Sequence, residues 1–309
     1  MLNYSPLVSV IISTYNRSNV LKYAIASVIN QTYPHFEIIV VGDHCTDDSE
    51  EVVSSFTDPR IRFYNLEENF GEQSYPNNVG YSKSKGDLIA WLNHDDLWYP
   101  EHLEMLINEL SQTGSDMVYS WFFPYNWHKF KRTFTLPVFT REPRYYPLFF
   151  VPASTWLLKR GVVEEAGLWK SAREIYNIPS QDWINRVHKA GKKITPVNKL
   201  SVIAIQSGSR KNSYSERQEE EHEFVFKHMY TPVFRENVLT ELCLWTTYRF
   251  NRLSLKEYFI FIVKKPVHFF AMKYQFNPHL WMARLKGIKK GERINQLRKI
   301  RGLPELKKK

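Results

Sequence analysis

The chain of 309 residues is 15% aromatic and contains nine tryptophans, which supports a sizeable core and excludes a largely disordered protein. Its formal net charge of +10 is unevenly distributed: residues 251–309 hold 16 Lys and Arg against 3 Asp and Glu, so they carry +13 and residues 1–250 carry −3. The basic charge therefore belongs to the C-terminal region.

The sequence predicts a cytoplasmic protein. Its two cysteines, Cys45 and Cys243, are too few and too far apart for a disulfide framework. The first residues lack the basic start and small-residue cleavage site of a signal peptide. No stretch reaches the roughly 18 apolar residues that a membrane span requires.

The first half of the chain alternates predicted strands and helices. Short apolar runs rich in β-branched residues predict strands at 8–13, 36–41, 60–64, 88–92 and 116–121. Helical patterns lie between them, at 20–29, after the acidic loop 42–50, weakly at 75–84, and from Pro100 to Leu110. Such alternation is typical of an α/β fold with a mostly parallel sheet and flanking helices.

The second half of the chain is less regular. Residues 122–150 are rich in aromatic residues and proline, and predict loops and short strands. Further elements are predicted as a strand and short helix at 154–167, a helix at 179–191 that begins with Pro179 and Ser180, and a closing strand at 197–205. We therefore expect an α/β domain at 1–205, a polar and mobile segment at 206–223, and a helical basic appendage at 224–309.

Five polar residues follow the predicted strands directly: Tyr15, Asn16, Asp43, Asp95 and Asp96. In open α/β sheets, ligands bind beyond the carboxyl ends of the strands. The sequence therefore predicts a ligand site at this edge of the sheet.

Asp95 and Asp96 are adjacent carboxylates, and two like charges cannot enter a core without a partner. One explanation is a divalent metal, Mg²⁺ or Mn²⁺, since hard cations take oxygen ligands and leave further positions to water and phosphates. The other is that both acids cap the following turn, as aspartate often does. With Asp43 at the same edge, the metal–phosphate explanation is favoured.

Three stretches resemble the family 2 glycosyltransferases, an inverting group with the GT-A fold. They are VSVIISTYNRSNVLKYAIASVINQTYPHFEIIVVGDHCTDD, NNVGYSKSKGDLIAWLNHDDLW and PSQDW. The resemblance covers about residues 6–205 and rests on the order and spacing of several motifs. It implies transfer of a sugar from a nucleotide-sugar donor, expected to be UDP-linked, to a saccharide or lipid-linked glycan acceptor in polysaccharide biosynthesis.

The resemblance also implies roles for the nucleotide-binding residues. Thr14, Tyr15 and Asn16 match the segment that flanks the nucleotide base, and Asp43 matches an acid that accepts a hydrogen bond from it. Asn93-His94-Asp95 matches the DxD-type metal motif. Asp95 is therefore expected to bind nucleotide and metal, with Asp96 as a second metal ligand.

On the acceptor side, Asp182 matches the family's general base, which takes the proton of the attacking hydroxyl. Trp183 resembles the aromatic residue that often follows this base near the acceptor. Trp156 is a second acceptor-side candidate.

The chain departs from the family pattern in several places. Asn93 replaces the first acid of the DxD motif, and Gly42 replaces the first of the two acids that follow the second strand in the family. Asn77 occupies the position of the family's arginine near the donor. Gln181 stands at the acid before the base. These departures leave an alternative open, a catalytically inactive relative that binds glycans or membranes. A nucleotidyltransferase is less favoured, because no glycine-rich phosphate loop follows the first strand.

Residues 251–309 interleave bulky apolar groups with cations. This mixture suits attachment to an anionic membrane surface, where each basic residue contributes about 1 kcal/mol, and would place the protein on the inner face of the cell membrane. A packed helical subdomain with a solvated basic face explains the same pattern. No nucleic-acid partner is expected, since no RNA- or DNA-binding motif is present.

Overall fold

A computed structural model describes residues 5–126, 145–147, 150–251, isolated positions between 259 and 274, and residues 277–306. Its centre is one eight-stranded sheet. The strands are β1 (Val8–Thr14), β2 (Phe36–Gly42), β3 (Ile61–Asn65), β4 (Leu88–Asn93), β5 (Asp96–Trp98), β6 (Met117–Tyr125), β7 (Trp156–Lys159) and β8 (Ile194–Ile205). Their order across the sheet is β3-β2-β1-β4-β7-β6-β8-β5.

Parallel pairing joins β3, β2, β1 and β4, and also joins β6 to β8. Strand β7 is antiparallel to both of its neighbours, and β5 is antiparallel to β8. β2 is buried along its whole length and β1 along nearly all of it, as expected of strands covered on both faces. Four parallel strands in one block bring their carboxyl ends to a common edge.

The helices are α1 (Ser18–Ile29), α2 (Ser49–Ser54), α3 (Ser74–Lys83), α4 (His102–Thr113), α5 (Arg160–Ala166), α6 (Pro179–Lys189), α7 (Glu220–His228), α8 (Pro232–Asn251), α9 (Pro278–Leu285) and α10 (Glu292–Ile300). The predicted α/β fold with flanking helices and a helical C-terminal region is confirmed. Amphipathic spacing explains α1, whose Val20, Leu21, Ala24 and Ile25 are fully buried against the sheet.

Several boundaries differ from the predicted ones. Pro100 does not open α4, which begins at His102. Ser180 is not the N-cap of α6: Ile178 takes that position with an extended backbone, and Pro179 is the first helical residue. Strand β5 was not predicted, because three residues are too few for a periodic pattern.

The segment 206–223, expected to be mobile, is tied to the rest of the structure. It contains a 3₁₀ turn at Gln206–Ser209 and the first part of α7, which begins at Glu220 rather than at residue 224. Arg17 donates to the Ser213 carbonyl at 2.8 Å and to Ser207 Oγ at 2.9 Å. Because Arg17 is itself buried, this anchor lies inside the protein.

The tryptophans predicted to face an acceptor lie instead in the core. Trp156 and Trp183 are both 0% exposed and stack with ring centroids 5.7 Å apart. Trp91 and Trp169 complete this cluster beneath α6. Aromatic rings of this size contribute mainly through burial. Trp183 therefore anchors α6 on Trp156 of β7, and neither buried ring is exposed to an acceptor.

Within the described parts of the C-terminal region, no helix has the length and apolar character that crossing a bilayer requires. Most of residues 252–276, and much of the aromatic region 122–150, lie outside the described residues. The expected division of the chain at residue 205 stays a prediction.

Candidate active site

A cavity of about 340 Å³ opens at the carboxyl ends of β1, β2 and β4. This volume is within the range of roughly 300–1,000 Å³ that is usual for small-molecule sites. Four of the nucleotide-binding residues predicted from sequence line it together: Thr14, Tyr15, Asp43 and Asp95. The remaining walls come from loop 71–76, residues 150–153, the start of α6, Tyr214 and residues 294–303.

Thr14 and Tyr15 form the wall at the end of β1. Among the described residues, the buried Thr14 hydroxyl has no hydrogen-bond partner, which leaves it available to a ligand. Asn16 is not a lining residue. Its φ of 47° turns the chain away from the cavity, and its side-chain oxygen accepts from the Thr46 amide at 2.8 Å. Asn16 therefore joins the loops after β1 and β2 and does not line the cavity.

Asp43 directly follows β2 and is buried at the cavity wall. Its Oδ1 accepts from the Phe70 amide and its Oδ2 from the Gly71 amide, both at 2.8 Å. Burial raises the pKa of Asp43, against the opposing effects of these two amides and of the Arg298 guanidinium. Asp43 thus holds loop 70–71 in place while each oxygen keeps a lone pair for a ligand.

The absence of an acid at Gly42 has a steric cause. A Cβ at this position would lie 2.6 Å from Asn65 Oδ1 and 3.0 Å from Cys45 Sγ. Asn65 in turn accepts from the Cys45 amide at 2.8 Å, which closes the space that a side chain would need. The local packing of this chain therefore leaves no room for the first acid of the usual pair, while the second is present as Asp43.

Asp95 and Asp96 occupy different environments. Asp95 lines the cavity, and its Oδ2 accepts from Ser207 Oγ at 3.0 Å. Asp96 is buried behind the cavity, where its Oδ2 accepts from Ser154 Oγ at 2.5 Å and from Asn93 Nδ2 at 2.8 Å. The adjacent carboxylates therefore do not face one ligand together.

Burial first, and then the charge of Asp95, raise the pKa of Asp96 to about 8, so Asp96 is largely protonated at neutral pH. Asp96 does not line the cavity, and its Oδ2 already accepts from the Ser154 and Asn93 side chains. The prediction of Asp96 as a metal ligand is therefore corrected: it connects β5 to Ser154. Burial also acts on Asp95, but the charges of His94, Arg17, His222 and Arg301 outweigh it and lower the pKa of Asp95.

The donor set fits a metal only through one carboxylate. Within the described part of the chain, no three His, Cys, Asp or Glu side chains are grouped so that they could hold an ion. Mg²⁺ commonly takes one or two carboxylates and completes its shell with water and substrate phosphates. Asp95 presents such a carboxylate to the cavity.

Asp182 lies in the first turn of α6, just after the residues Ile178, Pro179 and Ser180 that line the cavity. It is not itself a lining residue. Its Oδ2 accepts from Arg186 Nε at 3.1 Å, and Arg186 also donates to the carbonyls of Ala166 and Leu168. The structure thus places Asp182 at the border of the cavity with one carboxylate oxygen paired.

Four residues of the cavity region were missed from sequence: Arg17, Tyr214, Arg298 and Arg301. The Tyr214 ring lies between the guanidinium groups of Arg17 and Arg301, 5.2 Å and 5.8 Å from its centroid. Arg17 directly follows the predicted Tyr15-Asn16 pair, and this position in the sequence could have indicated that Arg17 lies near the cavity. The two C-terminal arginines were hidden in a basic run that predicts only a charged surface.

A mixed α/β sheet with flanking helices and an acid-lined cavity beyond its parallel strand ends is the arrangement of the GT-A fold. The solved structure of Staphylococcus aureus TarS 1–349 in complex with UDP-GlcNAc shares it, with a TM-score of 0.58 at 18% identity over 81% of this chain and 77% of that chain.

The chain belongs to glycosyl transferase family 2, whose family model matches residues 9–167. An uncharacterized glycosyltransferase of Rickettsia typhi is 45% identical over 109 residues, 35% of this chain and 33% of that protein. The poly(ribitol-phosphate) beta-N-acetylglucosaminyltransferase TarP of Staphylococcus aureus is 36% identical over 115 residues, 36% of this chain and 35% of TarP. These matches thus span about a third of the length of either relative.

Proposed function

We propose that the protein transfers a sugar from a UDP-linked donor to a saccharide or lipid-linked glycan acceptor, with inversion at the anomeric carbon. The observation that carries the proposal is the single cavity lined by Thr14, Tyr15, Asp43 and Asp95. The donor choice is supported by the UDP-GlcNAc bound to the TarS structure.

The donor site divides into two ends. Tyr15 and Asp43 form the end for the base, where the Asp43 carboxylate can accept from an N–H of uracil. Asp95 forms the end for the diphosphate. A divalent metal held by Asp95 and the phosphates would supply positive charge that offsets the charge developing on the leaving group.

The acceptor hydroxyl then attacks the anomeric carbon from the face opposite the diphosphate. We assign its proton to Asp182 Oδ1, because Arg186 engages Oδ2. A carboxylate oxygen within hydrogen-bond reach of the hydroxyl can take its proton as the new bond to carbon forms. One in-line displacement inverts the configuration.

Calorimetric titration with UDP, with and without Mn²⁺, tests the donor site. We expect binding that strengthens with the metal, and we expect Asp95→Ala to weaken it by about tenfold or more, since a charge-assisted contact is lost. Asp48→Ala, which removes a surface carboxylate outside the cavity lining, should bind as wild type does. If UDP binds neither with nor without Mn²⁺, the proposed nucleotide site is refuted. If UDP binds with the same affinity in both cases, the proposed metal site at Asp95 is refuted.

The alternative is an inactive relative that binds without transferring. Asn93 favours it, because its side chain donates to Asp96 and leaves Asp95 as the one acid of the Asn93–Asp96 stretch that lines the cavity. A protein that binds UDP but never releases UDP from any UDP-sugar would support this alternative.

We further propose that the C-terminal region attaches to an anionic membrane surface. Large apolar side chains are exposed there, including Phe269, Phe270, Trp281 and Leu285. The exposed cations Lys286 and Lys289 follow them closely. Apolar groups that enter the interface and cations that meet anionic headgroups are complementary to such a surface.

A further inference from the structure

The basic C-terminal region reaches the candidate active site. Leu297, Arg298, Arg301 and Leu303 lie among the residues that line the cavity. These residues belong to α10 and the turn after it, and they lie more than one hundred residues beyond the part of the chain that matches the family.

Hydrogen bonds hold this segment against the rest of the structure. The Gly291 amide donates to the Ile175 carbonyl at 3.1 Å, and Arg293 donates to Asn177 Oδ1 at 3.0 Å. At the other end of α10, the Asn212 amide donates to the Ile300 carbonyl at 2.9 Å. The segment is thus fixed to two separate loops, and α10 spans the distance between them.

Arg298 serves the base end of the cavity. Its guanidinium is buried and donates to the carbonyls of Gly71 and Pro304. Gly71 is also the residue whose amide donates to Asp43. Because its Nε and Nη1 donate to backbone carbonyls and its charge balances Asp43, Arg298 is a positioning residue for loop 70–71.

Arg301 has a different arrangement. Its Nε donates to the Gly208 carbonyl at 2.7 Å, and its guanidinium lies over the Tyr214 ring. Among the described residues, its two terminal nitrogens have no hydrogen-bond partner. Gly208 directly follows Ser207, whose Oγ donates to Asp95 at 3.0 Å, and Arg301 and Asp95 both line the cavity. Arg301 therefore lies at the Asp95 end of the cavity, the end proposed for the diphosphate.

A guanidinium whose terminal N–H groups are unpaired, held in place through Nε and an aromatic face, is suited to bidentate binding of phosphate. The chain also lacks a cation near the donor on α3, where Asn77 is buried without charge. Arg301 lines the cavity and can add positive charge to that of the metal proposed at Asp95.

We propose that Arg301, delivered to the cavity by the C-terminal segment, binds the diphosphate of the donor, so that the site is incomplete without residues 291–306. This inference rests on the proposed nucleotide-sugar function. It makes the end of the basic region a part of the donor site.

The test compares uridine, UMP and UDP by calorimetric titration at fixed Mn²⁺ with full-length variants. In wild type, affinity should rise from uridine to UDP. In Arg301→Gln, UDP affinity should fall about 10- to 100-fold, the usual range for a hydrogen bond to a charged group, while uridine affinity stays unchanged. Arg301→Lys should recover part of the loss. Lys299→Gln, an exposed basic residue on the same helix, should match wild type in all three titrations.

Three results would overturn the inference: UDP affinity unchanged in Arg301→Gln, an equal loss for uridine and UDP, or an equal loss in Lys299→Gln. An equal loss for uridine would mean that Arg301 only supports the fold of the site. Failure of wild type to bind UDP at all would instead refute the proposed function, so the two failures are distinguishable.

Discussion

One oxygen of the Asp182 carboxylate, Oδ2, accepts a hydrogen bond from Arg186, which leaves Oδ1 for the proposed proton transfer. Asp182→Asn keeps the size of the side chain but removes the base, so we expect turnover of UDP-GlcNAc, measured as UDP release, to fall about 10²- to 10⁴-fold. UDP affinity should change little, because Asp182 does not line the donor cavity.

Asp58→Asn is a matched control, since Asp58 also pairs with an arginine, Arg60, but lies outside the cavity lining. Its turnover should equal that of wild type. Undiminished turnover in Asp182→Asn would remove Asp182 as the base.

Asp96 makes a prediction about stability. Burial raises its pKa to about 8 in the folded protein, whereas an unfolded aspartate titrates near 3.9. Between these two values folding takes up a proton, so this group's contribution to stability decreases as pH rises from about 4 to 8. In Asp96→Asn the titrating carboxyl group is absent, so this contribution to the pH dependence of stability is lost.

We therefore expect the melting temperature of Asp96→Asn, relative to wild type, to increase from pH 5 to pH 8. The change should correspond to about 1 kcal/mol or more, roughly 2 °C or more for a chain of this size. Taking the difference between the two proteins cancels the titration of His94 and His222, whose pKa values burial lowers. A difference in melting temperature between the two proteins that stays constant from pH 5 to pH 8 would show that Asp96 is ionised in the folded protein.

At the scale of elements, local sequence predicted the strands β1, β2 and β4 and the edge where their polar ends meet. In each case the apolar run and the polar residues after it are adjacent in sequence, so a short stretch of sequence predicts both the strand and the polar group at its end. For the same reason Tyr15, Asp43 and Asp95 were found correctly as cavity residues.

Elements that depend on distant partners were not predictable in this way. The antiparallel insertion of β7 between β4 and β6 depends on pairings such as Ala90 with Leu157, which leave no local pattern. Trp156 is buried on β7 itself, and Trp183 of α6 is buried by packing on Trp156, so neither side chain is exposed to an acceptor as the sequence suggested. Arg298 and Arg301 reach the cavity only through tertiary folding, and their sequence resembles any solvated basic run.

At the scale of the whole molecule, the basic region has two ends with different surroundings. The end at 291–306 is anchored beside the cavity, while Phe269, Phe270 and Trp281 are exposed. A deletion of the entire region would disturb both, and point variants are therefore the informative experiment.

The membrane proposal predicts that full-length protein floats with vesicles containing anionic lipid, and that flotation weakens as salt rises and screens the cations. Neutralising Lys286 and Lys289 to Gln should weaken partitioning by roughly thirtyfold, at about 1 kcal/mol for each charge. Phe269→Ser with Trp281→Ser should also weaken it, because less apolar area enters the interface.

The control is Val233→Ser with Leu244→Ser, since these residues are equally exposed but lie on α8. This pair should float as wild type does. Absence of wild-type flotation at low salt, or an equal loss in the α8 pair, would contradict attachment through the C-terminal region. UDP affinity should be retained in the Phe269 and Trp281 variant, because neither residue lines the cavity, and this separates membrane attachment from the role of α10 in donor binding.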